Sequence, residues 1–83
     1  MRFAKFTLIV GERHEGGEDD QPTTAVETTQ PMMLNLDNVK SFYPRKPSYN
    51  GEPRLGTRIN FTYGGGIAVQ EDFDTVAGHF ASH

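Results

Sequence analysis

Apolar and polar residues alternate with a two-residue period over much of the chain, the pattern of half-buried β-strands. In residues 3–10, Ala4, Phe6, Leu8 and Val10 share one apolar face, and Phe3, Lys5, Thr7 and Ile9 share the other. This predicts a strand that ends at Gly11 and turns its first face to the core. After Pro31, Met32, Leu34 and Leu36 again fall on one side; Asp37-Asn38 supplies turn chemistry, and residues 39–43 resume β character. The cleanest alternation is in residues 57–63, where Thr57, Ile59, Phe61 and Tyr63 oppose Arg58, Asn60 and Thr62. Gly64-Gly65-Gly66 then leads into Ile67-Ala68-Val69-Gln70. A glycine triplet cradles phosphate where a strand runs into a helix N-terminus. Between two strands it predicts a tight hairpin that uses positive φ angles.

Near the C-terminus the period changes. Phe73, Val76, Ala77 and Phe80 follow the i, i+3, i+4, i+7 spacing of one helical face. Asp72 is a suitable N-cap, and Asp74 lies in the first turn, where the helix dipole favours an anion. Gly78 costs this helix about 1 kcal/mol relative to alanine, so it needs a sheet to pack on. The predicted fold is α+β and β-rich: a small antiparallel sheet or open SH3-like barrel of about five strands with one C-terminal helix.

Two segments interrupt this plan within what reads as one small domain, residues 1–83. Residues 11–30 read as a long acidic loop; 11–22 are expected to be solvated and mobile, while Thr23-Thr24-Ala25-Val26-Glu27-Thr28-Thr29 is β-compatible and could extend a neighbouring strand as a ribbon. Residues 44–55 hold Pro44, Pro47, Gly51 and Pro53 and read as a basic loop. These segments also divide the charge. The net value of −3 conceals a balance of −5 in residues 11–30 and +4 in residues 40–58. Such asymmetry points to partners rather than to fold.

The segments Leu34-Asn35-Leu36-Asp37-Asn38-Val39, Thr57-Arg58-Ile59-Asn60-Phe61-Thr62-Tyr63-Gly64-Gly65 and Ile67-Ala68-Val69-Gln70-Glu71, with the helix after them and Lys5-Phe6-Thr7-Leu8 before, carry a resemblance. The chain resembles the short flagellar and swarming-motility regulator family and similar uncharacterised small bacterial and phage proteins. The resemblance implies regulation without catalysis. It leaves out residues 11–30 and 44–55, because members of that family are usually shorter.

Candidate chemistry is concentrated in the two charged segments. With no cysteine, the chain has no disulfide, thiolate metal site or cysteine nucleophile. Ser41, Ser48 and Ser82 lack a nucleophile-elbow setting. His79 and His83 are spaced as a helical metal pair, but a fraying last turn is the simpler reading. Glu18-Asp19-Asp20 lacks the alternating spacing of a calcium loop. No catalytic residue, metal or cofactor is therefore expected.

Lys40, Arg45, Lys46, Arg54 and Arg58 are interleaved with Tyr43 and Tyr49, a mixture that suits phosphate contacts with base stacking or an acidic protein surface. Glu15, Glu18, Asp19 and Asp20 form a candidate acidic interaction loop. The leading expectation is a non-enzymatic module that binds and modulates a protein partner. A nucleic-acid-binding regulator using residues 40–58 is the alternative. A second copy of the chain is a further candidate partner, since a small sheet has edges to cover. No apolar run approaches the ~20 residues of a membrane span or the roughly 7–15 of a signal core, so a cytoplasmic protein without membrane contact is expected.

Overall fold

Alternation in the first strand sets the architecture. In the computed structural model, which describes residues 2–16, 23–47, 51 and 53–82, Ala4 and Phe6 are buried while Phe3 and Lys5 face outward. The elements are β1 (Phe3–Gly16), β2 (Thr23–Asn35), a 3-10 turn (Leu36–Asn38), β3 (Val39–Pro44), β4 (Thr57–Phe61), β5 (Gly66–Val69) and α1 (Phe73–Ser82). The strands form one antiparallel sheet in the order β2-β1-β5-β4-β3, with α1 packed against it.

The outermost strands, β2 and β3, are consecutive in the chain. Five flat strands would separate them by roughly 19 Å, whereas the four peptide steps from Asn35 to Val39 span about 14 Å at most. The sheet must therefore curl. The turn fixes that curl from both sides. Leu36 donates its N–H to the Arg2 carbonyl at 2.7 Å, and Thr62 donates to the Asn38 carbonyl at 2.9 Å. Within the turn, the Asn35 side chain accepts from the Asp37 N–H at 3.1 Å. Asp37 also pairs with Arg2 Nε at 2.9 Å, which holds its carboxyl below the usual carboxylate range.

The core lies inside the curl. Ala4, Phe6, Leu34, Leu36, Ile59, Val69 and Val76 are buried, and Met32, Val39, Phe42, Phe61, Ile67 and Phe80 pack around them. Helix α1 closes the open side. Phe42 stacks on Phe80 at 4.9 Å between ring centres and leans on Phe73 at 5.4 Å, while His79 meets the edge of Phe6 at 4.9 Å. Thr57 is fully buried on this face, and its hydroxyl donates to the Glu71 carbonyl at 2.8 Å. The Glu71 carboxylate in turn accepts from the Thr7 N–H at 2.9 and 3.0 Å, extending the β1–β5 seam beyond Val69.

Four sequence expectations need correction. Gly11 does not end β1, which continues to Gly16 paired with β2, so residues 11–16 are strand rather than loop; residues 23–29 extend the neighbouring strand as a ribbon, as their β-compatible sequence allows. The register shifts between Ile9 and Gly11, leaving Val10 as an extra residue, and Val10 is exposed instead of joining the core. Tyr63, which the alternation of residues 57–63 places in the same strand as Ile59 and Phe61, lies beyond β4, 72% exposed and stacked on Phe61. Leu8 is only half-buried. Because β1 meets β5 only at Leu8 and Ile9, its distal half and β2 extend as a two-stranded ribbon. A 14-residue strand spans roughly 46 Å, in keeping with a longest dimension of 52 Å.

The glycine hairpin and the helix cap follow expectation: Gly64 and Gly65 have φ of 98° and 74°, and Thr75 N–H donates to Asp72 Oδ1 at 2.8 Å. Hydrogen bonds from Thr75 hold the Asp72 carboxyl below its ordinary range. A depressed folded-state pKa adds stability above the unfolded value of 3.8 and loses it as the pH falls through the folded value. Asp72→Ala should therefore melt below the wild type near neutral pH. The difference should shrink as the medium is acidified below about pH 3.8, as thermal melts across a pH series can follow.

Gly56 carries a different constraint, with φ of 109° and an added Cβ that would collide with the Val69 carbonyl oxygen. Gly56→Ala should cost on the order of 3 kcal/mol by urea denaturation.

Candidate basic groove on the outer face

The alternation that buries Thr57 and Ile59 turns Arg58 to the opposite face of β4. Arg58 is paired with Tyr43 on β3 and with Ala68 on β5, and Ala68 is paired with Ile9 on β1. This cross-strand row forms part of the outer surface. A groove of about 220 Å³ lies over it, lined by Tyr43, Arg45, Lys46, Arg54, Arg58 and Ala68. Ala68 is the one small side chain in the lining.

Each arginine is placed by a local interaction. Arg58 donates Nε to Asn60 Oδ1 at 3.2 Å. A Cβ at Gly66 would stand 2.8 Å from Arg58 Nη2 and 2.7 Å from Asn60 Oδ1, so this glycine leaves room for both side chains against the sheet. Arg54 donates Nε to the Lys46 carbonyl at 2.9 Å, tying the two ends of the loop together. Arg45 donates its main-chain N–H to the Gly56 carbonyl at 3.2 Å, and a Cβ at Gly56 would lie 3.1 Å from Arg45 Cδ.

Arg45 differs from the others. Its side chain is only 9% exposed, and Nη1 donates to both Glu27 oxygens, at 2.8 and 3.1 Å, and to the Leu55 carbonyl at 3.1 Å. Its charge is therefore neutralised by a carboxylate from the β1–β2 ribbon. Among the described residues four cations line the groove and Glu27 offsets one, leaving an excess of three positive charges there on a chain whose net charge is −3.

Of the residues expected to bind a partner, Tyr43, Arg45, Lys46, Arg54 and Arg58 converge here. Lys40 does not. It is the extra residue where the β3–β4 register shifts, and it stands exposed away from the groove. Tyr49, Glu18, Asp19 and Asp20 lie outside the described residues, as does the Glu15 side chain. His83 also lies outside them, and His79 packs on Phe6. Among the described residues no three metal-ligating side chains gather, and no helix is long and apolar enough to cross a membrane. Sequence reasoning missed Glu27 as the partner of Arg45, and Ala68 and Gly66 as the residues that shape the groove. No family model, curated protein or solved structure matches this chain.

The Arg45–Glu27 bridge is partly shielded and fixes the ribbon against the β3–β4 loop. A double-mutant cycle of Arg45→Ala and Glu27→Ala, read by urea denaturation at low salt, should give a coupling energy of about 1–2 kcal/mol. Arg45→Ala alone should be the more damaging single change, because it also removes the hydrogen bond to the Leu55 carbonyl and the packing of a nearly buried side chain.

Proposed function

We propose that this protein is a non-catalytic binding module that docks an acidic segment of a protein partner in the outer-face groove and thereby modulates that partner. The observation that carries this reading is the convergence of Lys46, Arg54 and Arg58 with Tyr43 and Ala68 around one groove. Guanidinium groups suit planar bidentate recognition of carboxylates. The groove is small, and a carboxylate adjoins it. Glu27 stands at Arg45, and Glu12 is paired with Glu27 across β1 and β2. A short acidic peptide can engage the cations without reaching these two carboxylates, whereas a long polyanion that follows the surface onto the ribbon would meet them. Regulation without catalysis is also what the resemblance of the strand and turn segments implies.

Tyr43 favours a second reading, a nucleic-acid-binding regulator. An aromatic ring among cations is the arrangement on which a single-stranded base stacks.

One titration tests both. A fluorescent oligoglutamate peptide and a labelled single-stranded oligonucleotide are added to the full chain at low salt, and anisotropy is followed. The peptide should bind, weaken with salt, and be lost when Arg54 and Arg58 are both changed to alanine. Ala68→Leu should also abolish binding, since it fills the groove without changing charge, and Glu27→Gln should tighten it by releasing Arg45. Retention of the oligonucleotide alone would establish the second reading. Retention of neither ligand would overturn both.

A further inference from the structure

The two edges of the sheet are built differently. The β3 edge carries three devices that discourage strand addition: Lys40, the register shift at that residue, and Pro44. The β2 edge has one such device, Pro31, and none from Thr23 to Gln30. That stretch reads Thr-Thr-Ala-Val-Glu-Thr-Thr-Gln, rich in β-branched residues, and Glu27 is its sole charge. Glu27 is already neutralised by Arg45 of the same chain. The β1–β2 register shift places its extra residue, Val10, on β1, so β2 runs through the region without a bulge of its own.

This unguarded edge belongs to the least supported part of the fold. Residues 11–16 of β1 and 23–28 of β2 pair with each other, while β1 meets β5 only at Leu8 and Ile9. Two-stranded ribbons are at best marginally stable in water, and further strands stabilise them.

We infer that β2 is an assembly edge, and that its occupant is the β2 strand of a second copy, paired antiparallel across residues 23–30. Self-pairing suits this segment because it sets neutral, β-branched residues against their own kind. Threonine pairs across strands are favourable, and no unpaired charge has to be brought together. The contact is isologous. It joins the two sheets and leaves β3 at both outer edges, where Lys40 and Pro44 block further addition. The assembly therefore closes at two copies. A strand from an unrelated protein would gain the same backbone hydrogen bonds, but nothing in the edge selects for it.

Sedimentation equilibrium of the full chain tests this directly. The weight should rise with concentration from 9.3 kDa to twice that value and no further. Amide exchange in residues 23–30 should slow over the same range, with residues 39–44 unaffected. Thr28→Lys with Gln30→Lys gives β2 the kind of protection β3 has, and should weaken the dimer at least about tenfold while circular dichroism keeps its native form.

Dimerisation should persist at about 1 M salt, where charges are screened within about 3 Å. Should the double variant not fold, the exchange data on the wild type decide alone. A chain that stays monomeric, a dimer dissolved by salt, protection appearing at 39–44, or a folded lysine variant that still dimerises as tightly would each overturn the inference. Protection of 23–30 obtained only on adding another protein's strand would also overturn it.

Discussion

A three-residue turn joining the two outermost strands of a five-stranded sheet is the constraint on which this structure depends. Because Leu36–Asn38 must carry the chain from one edge to the other, the sheet cannot lie flat. Curling gives it a concave side, where a few large side chains and Thr57 are sealed from water, and an outer side open to water. The turn is secured to the start of β1 through Arg2 and to the end of β4 through Thr62, so both closing strands are held from outside the turn itself. A chain of 83 residues without disulfides has a small core, and a curled sheet capped by one short helix is an economical way to enclose it.

That curvature also separates stability from recognition on the same strands. In β4, Thr57 and Ile59 point inward and Arg58 and Asn60 outward. In β5, Val69 is buried beside Ala68, which lines the groove. Substitutions one residue apart thus fall on different properties of the molecule. Gly56 is the exception. Its positive φ and its contact with the Val69 carbonyl belong to the fold, while the space it leaves for Arg45 belongs to the groove.

Local period made much of this fold legible. Alternation in residues 57–61, the helical spacing of Phe73, Val76 and Phe80, the capping Asp72 and the positive-φ glycines are all short-range signals, and each is present. The failures share a long-range cause. A bulge breaks the parity of a strand without marking the sequence, so Val10 passes from the expected core face to solvent. Residues 11–16 have no apolar face, and only pairing with residues 23–28, whose β propensity is legible in sequence, makes them a strand. The groove was half legible for the same reason. Clustering of cations in residues 43–58 is visible in sequence, whereas Glu27, 18 residues before Arg45, and Ala68, an unremarkable alanine, join it through the sheet alone.

The Arg45–Glu27 bridge joins the two surfaces that carry the functional arguments. Glu27 lies on the edge strand β2, and Arg45 lies in the groove. Any ligand that competes for the Arg45 guanidinium must displace Glu27, loosening the ribbon from the β3–β4 loop. Any partner strand that stiffens β2 must hold Glu27 more firmly in its place. The two events are then coupled by a free energy no larger than the worth of that one bridge, and linkage makes the coupling equal in both directions. For a partly shielded ion pair this is about 1–2 kcal/mol, or roughly a five- to thirtyfold change in affinity. Strand pairing at β2 would accordingly lower the affinity of the groove for ligands that need Arg45, and would leave unchanged those that need only Lys46, Arg54 and Arg58.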